Sequence, residues 1–206
     1  MFRKIFHPDS GLMITLSQIS DVIFMSLFYI VCSVPLITLG ASTAALYDGT
    51  IRGIRQQMVK SFFRYFETFK RNFRPGLIPG LLFAVGMAGV LAAARALWNA
   101  YALGQLGAVP FGALAVLVVL VLGLLELMLP MLSRFELTTG QLLRNTLLMG
   151  LAHVPLTLLL GVIHGAGILC CLFFVWPVFF IPGLCALLGS FCIEPMIKPY
   201  LPREEA

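Results

Sequence analysis

Long unbroken apolar runs, rather than alternating ones, dominate this chain. A membrane-spanning helix needs roughly 20 mostly apolar residues, and five stretches approach or exceed that. They run from about Ser20 to Leu39, Leu77 to Trp98, Ala108 to Leu132, Thr146 to Ile163 and Gly167 to Ile193. Runs such as Ala113–Leu125 lack the two-residue alternation of a membrane β-strand. Within hydrocarbon a helix pairs every N–H and C=O inside its own segment. The pattern therefore predicts an all-α, polytopic transmembrane helical bundle of about five spans, forming a single integral membrane domain over residues 1–206. Pro35 falls near the end of the first run, and Pro177 and Pro182 fall inside the fifth. Each proline kinks or ends a helix. The fifth run reads either as a kinked helix or as a broken one, of the kind whose unwound backbone lines transporter cavities.

Composition supports the bilayer as solvent. The chain is 60% hydrophobic and 11% charged, whereas soluble domains carry about 45–50% apolar and about 25% charged residues. Arg3 and Lys4 precede an apolar run, as in a signal peptide, but the long lead-in to Asp21 and the internal Pro35 argue against cleavage. The five cysteines (Cys32, Cys170, Cys171, Cys185 and Cys192) lie in apolar runs with no zinc or redox spacing, and read as packing residues. Neither a cofactor nor a metal is expected.

The net charge of +5 is concentrated. Seven of the 14 basic residues (Arg52, Arg55, Lys60, Arg64, Lys70, Arg71 and Arg74) lie between the first two runs. This points to anionic lipid headgroups rather than nucleic acid. Lys and Arg mark the cytoplasmic side, which gives a model with the N-terminus outside and the C-terminus inside. In an alternative, the chain turns at Pro35–Gly40 and Ala41–Gln57 returns through the membrane, leaving Arg3 and Lys4 cytoplasmic as well.

Within the basic segment, residues 58–74 form an amphipathic pattern. At 100° per residue Phe62, Phe66, Phe69 and Phe73 fall within about 60° of one another, with Lys60, Arg64 and Arg71 opposite. That is the layout of an interfacial helix with phenyl rings at the acyl boundary and cations among headgroups. A groove on a cytoplasmic partner would fit the same face.

Two further features concern packing. Gly80, Ala84, Ala88, Ala92 and Ala96 recur every four residues, a small-residue stripe suited to close helix approach within the bundle or in a homo-oligomer. Glu126 is the acidic residue well inside an apolar run. Such a group faces a partner or a wet cavity. It reads as a structural ion pair with Arg144 or a basic residue of the first loop, as a neutralised acid, or as a proton or substrate site. His153 and His164 are too isolated to suggest a metal. Phosphate-loop, zinc-protease and nucleophile-elbow motifs are absent, so the chain is not read as an enzyme.

The segment Val34-Pro-Leu-Ile-Thr-Leu-Gly-Ala-Ser-Thr-Ala-Ala-Leu-Tyr47 resembles the hallmark of the YesL family, bacterial integral membrane proteins classed as domain of unknown function 624. Phe62–Phe73 and Leu129–Asn145 are similar to further parts of that pattern, in the same order. The resemblance implies a multi-pass protein of the bacterial cell membrane, encoded beside carbohydrate-uptake and carbohydrate-degrading systems. It carries over no catalytic residue. In physical terms Pro35 cannot continue a helix, Gly40 permits a sharp exit, and Thr38, Ser42 and Thr43 can satisfy freed backbone groups. Pro35, Thr38, Gly40 and Ser42 should form a structured corner. Ala44–Gly49 also resembles the coupling loop by which sugar permeases dock an ATPase subunit, although Thr43 stands where that loop carries glutamate. The expected function is an accessory or regulatory component working with transport subunits. The alternative is a small oligomeric transporter or channel for a sugar or an ion.

Overall fold

The computed structural model describes residues 11–55, 61–135, 137–174 and 176–200, and among these every regular element is helical. The α-helices are α1 (Gly11–Ser33), α2 (Leu39–Asp48), α3 (Ser61–Asn72), α4 (Leu77–Ala102), α5 (Ala108–Arg134), α6 (Thr139–Ala152), α7 (Val154–Phe173) and α8 (Ile181–Ile197). A π-helical stretch, Gly49–Arg55, continues α2. By length and composition α4, α5, α7 and the Ile181–Tyr200 segment suffice to cross a membrane, and Gln18–Ser33 is a shorter apolar helix. Their outward faces carry large apolar side chains: Val109, Phe173 and Trp176 are 80% or more exposed. Contiguous apolar surface on this scale is unstable in water and natural in lipid. This is a membrane protein.

The first run ends as a helix at Ser33, two residues before Pro35. A single 3-10 turn at Leu36–Thr38 follows, and α2 then folds back against α1. Every residue from Gly40 to Ile51 is buried. Residues Ala41 to Arg55 thus form a helical arm folded back against α1; Gln56 and Gln57 lie outside the described residues. The Ala44–Gly49 stretch is interior, so it is not displayed as a coupling loop.

The two C-terminal runs divide differently from the expected limits at 146–163 and 167–193. The chain breaks at His153, between α6 and α7, and α7 continues through His164 to Phe173. Pro155 sits in the first turn of α7, where its missing N–H costs nothing. Gly161 and Gly167 do not end the helix, because other side chains and backbone press on them. A Cβ on Gly167 would lie 2.6 Å from Cys185 Sγ, and one on Gly161 would run into the Val119 carbonyl. The next break is at Phe174–Phe180, with a 3-10 turn at Trp176–Phe179. Pro182 then opens α8. The fifth run is thus broken at Phe174–Phe180, around Pro177 and Pro182, rather than kinked as one span. Its first residues finish α7, and Pro177 belongs to the turn.

The core joins α2, the middle of α3, the second half of α5 and α8. α7 packs antiparallel on α5, with Gly123 pressed onto the Thr157 carbonyl.

Candidate functional site

Two buried carboxylates organise the interior. The first, Asp48, ends α2 and is fully buried. Its Oδ2 accepts from Thr68 Oγ1 at 2.7 Å and from Arg64 Nε at 3.2 Å, and Arg52 Nε lies 2.9 Å from Oδ1. Arg52 sits one turn further along the same helical stretch, while Arg64 and Thr68 are neighbours on one face of α3. The carboxylate thereby fastens α3 to α2. Arg64 also reaches Glu67, at 3.5 Å.

This fastening changes the role of the basic amphipathic helix. Tyr65 and Thr68 are buried, and Phe66 and Phe69 pack on the core, where Phe28, Tyr65 and Phe66 make edge and tilted ring contacts. The phenyl face therefore meets protein at its centre, and Phe63 and Phe73 are the exposed rings. Arg71 is exposed and donates to the Ser133 carbonyl at 3.1 Å. Lys60 lies outside the described residues, as does the Phe62 side chain. Tyr65 Oη meets Ser42 Oγ at 3.0 Å; burial pushes this phenol up, with the Ser42 hydrogen bond pulling the other way.

The corner residues do what their chemistry allows. Thr38 Oγ1 donates to the Cys32 and Pro35 carbonyls left over at the end of α1. Ser42 is shared between Ser33 Oγ at 3.1 Å and the Tyr29 carbonyl at 3.3 Å. Gly40 crosses the start of α4, where a Cβ on Gly80 would sit 2.6 Å from the Gly40 nitrogen. Of the small-residue stripe, Gly80 is used in this crossing, while Ala88, Ala92 and Ala96 face outward.

The second carboxylate, Glu126 of α5, is 7% exposed. Its neighbour is neither Arg144 nor a first-loop cation but His164 of α7, with Nε2 3.4 Å from Oε2. Sequence spacing gave no hint of this pairing, because 38 residues and a misjudged helix break separate the two. His164 Nδ1 lies 3.0 Å from the Leu160 carbonyl, an acceptor, which assigns a hydrogen to Nδ1. His164 Nε2 and Glu126 Oε2 thus face each other as a close ionisable pair. One turn along α5, Pro130 lacks the N–H that would otherwise bond the Glu126 carbonyl. Tyr47 completes the group. It is 1% exposed, and its hydroxyl, close to Gly189, has no hydrogen-bond partner among the described residues.

Glu126, His164 and Tyr47 line a cleft of about 400 Å³. Phe83, Met87 and Leu91 of α4 form one wall, and residues of α7 and α8, including Leu172 and Cys185, form the other. The arrangement offers an apolar slot with a carboxyl, an imidazole and a phenol at its floor. It can take up an apolar group bearing one hydrogen-bonding or cationic function. Among the described residues no three His, Cys, Asp or Glu side chains converge as metal ligands, and all five thiols are unbridged.

Among the described residues the fold is a helical bundle with apolar helices suited to a membrane, and the cleft in it holds ionisable side chains. The family model described as "Protein of unknown function, DUF624" matches residues 22–94, consistent with a DUF624 assignment. That match covers the second half of α1, the buried α2, the Asp48 fastening and much of α4. No curated protein and no solved structure matches the chain.

Proposed function

We propose that this chain is a multi-pass protein of the bacterial cell membrane that acts as an accessory or regulatory component beside a carbohydrate-uptake system, receiving a partner's membrane helix in the Glu126 cleft. The observation that carries this reading is the slot between α4 and the α7–α8 pair. Its walls are apolar and its floor holds a carboxyl, an imidazole and an unmatched phenol. A passing acyl chain has nothing to offer those three groups, whereas a helix carrying one polar or basic residue satisfies them. The basic Arg52–Arg74 segment places that end of the bundle in the cytoplasm by the positive-inside rule, and it adds attraction to anionic headgroups. The carbohydrate link rests on the family resemblance and on nothing in the geometry.

The test is a photo-crosslinking residue at Leu172, in the cleft wall, activated in native membranes. The expected product is a crosslinked peptide from a membrane segment of a transport subunit that carries a polar or basic residue, lost on Glu126→Leu. Adducts with lipid alone would remove the proposal.

A second reading, a small oligomeric transporter or channel for a sugar or ion, is favoured by the Glu126–His164 pair, which can carry a proton within the bilayer. It requires flux in reconstituted vesicles that responds to a pH gradient and disappears on Glu126→Gln.

A further inference from the structure

The chemistry of the Glu126 cleft is lopsided. Its lining holds one carboxyl and, among the described residues, neither lysine nor arginine. The polar groups at its floor mostly have acceptors to offer. The Glu126 carboxyl makes one ion-pair contact among the described residues, at 3.4 Å to His164 Nε2, longer than the roughly 2.7–2.9 Å of a charge-assisted hydrogen bond. His164 Nδ1 is taken up by the Leu160 carbonyl. Thr43 Oγ1, also in the lining, donates to the Leu39 carbonyl and keeps its lone pairs. The Tyr47 hydroxyl is buried and has no partner among the described residues. A Cβ on Gly189 would run into that hydroxyl and lie 3.2 Å from His164 Cε1, so the bare backbone at 189 lets phenol and imidazole sit side by side.

A closed structural pair would need no room beside it. Here a space of about 400 Å³ adjoins the carboxyl, a volume within the range of small-ligand sites. The rings of Tyr29, Tyr47 and Phe83 line it, and aromatic faces attract cations. Leu91 and Leu172 stand on opposite walls, belong to helices long enough to span, and are exposed. The mouth therefore opens toward lipid, and whatever enters needs an apolar body. A carboxylate in such a low-dielectric interior is costly unless a cation accompanies it.

From this geometry we infer that the Glu126 cleft is a site for an organic ammonium group carried on an apolar stem. An ammonium brings donors and no acceptor. Glu126, Tyr47 and Thr43 supply the acceptors, the rings favour the positive charge, and the leucine walls take the stem. The ammonium can belong to a lysine of a membrane helix or to a free amphiphilic amine. The inference rests on the proposed role of this cleft as a binding site, and not on the visitor being a helix.

The test uses the full chain in maltoside micelles, which carry no ammonium. The probes are an alkylammonium with a photoreactive diazirine in its chain and the alcohol of the same chain. Saturable labelling of the walls around Leu91 and Leu172 is expected from the ammonium and not from the alcohol. Glu126→Gln should weaken that labelling about tenfold or more in apparent affinity. Displacement by a spanning Leu–Ala peptide with one lysine, and not by its norleucine counterpart, assigns the ammonium to a helix. A probe that the lysine peptide leaves in place assigns it to a free amine. The inference is overturned by equal labelling from the alcohol, by labelling that Glu126→Gln leaves intact, or by no saturable labelling of the cleft. Should Glu126→Gln not fold, the comparison of ammonium with alcohol on the unaltered protein decides. Failure here beside a positive Leu172 crosslink in native membranes removes the ammonium and keeps the helix; labelling here without that crosslink does the reverse.

Discussion

Asp48 and Glu126 are both acidic, both in the interior of the same bundle and differently furnished. Asp48 has two guanidinium groups and a threonine hydroxyl around it. Among the described residues Glu126 has one imidazole at 3.4 Å, and the Tyr47 phenol lining the same cleft has no hydrogen-bond partner. The first group is locked, and its removal leaves two cations facing a hole. The second is lightly held, by one 3.4 Å ion-pair contact among the described residues. A buried carboxylate in a membrane protein is therefore not a functional signal by burial alone. The number and strength of the groups already satisfying it separates a fastening from a site.

The largest expected effect comes from breaking the fastening. Asp48→Ala should lower the unfolding free energy by about 3 kcal/mol or more, because Arg52 and Arg64 lose their shared partner; thermal unfolding in detergent would measure it. An effect no larger than that of a surface substitution would erase the contrast between the two carboxylates. Next is the crossing that supports the same end of the bundle. Gly40→Ala should cost about 1–3 kcal/mol, since the added methyl meets the backbone of α4. Gly89→Ala, with nothing within 4 Å of the new Cβ, should be neutral or stabilise by up to about 1 kcal/mol through helix propensity.

Smaller effects belong to the cleft. Glu126→Gln keeps the side chain's shape and loses one long contact, so its cost should stay near 1 kcal/mol or below in the same assay. A loss as large as that of Asp48→Ala would make Glu126 a second fastening and remove the cleft from consideration as a site. The smallest change is expected for Tyr47→Phe, which deletes a hydroxyl with no partner among the described residues. Stability should be unchanged or rise by up to about 1 kcal/mol. A clear destabilisation would mean that a bound molecule holds that hydroxyl in the native state.

Much of this contrast was illegible along the chain. Asp48 stood beside a glycine in a segment that read either as a cytoplasmic connection or as an arm returning through the membrane, and the packing of α2 into the core buries it. Phe66 and Phe69 have the spacing of a lipid-facing stripe. A stripe of that width serves a membrane surface or a protein surface equally well, and α2 supplied the protein surface. Glu126 was visible as a charge out of place, but its partner was not, because His164 seemed to mark the end of a helix. Gly161 and Gly167, on either side of His164, are points where α5 and α8 press on α7.

Sequence alone determined the class of the molecule. Apolar runs too long and too continuous for a soluble core require helices in a bilayer, since no other structure satisfies the backbone there. It also determined the corner at Pro35–Ser42, where a residue without an N–H and residues with short hydroxyl side chains leave few local conformations. Tertiary structure decided which helix faces meet protein rather than lipid, and therefore which carboxylate is fastened and which is left open. Contacts such as Glu126 with His164, or Asp48 with Arg64, depend on how separate helices pack together. No period along a single helix encodes that packing, because lipid and protein interiors present nearly the same apolar environment to a side chain.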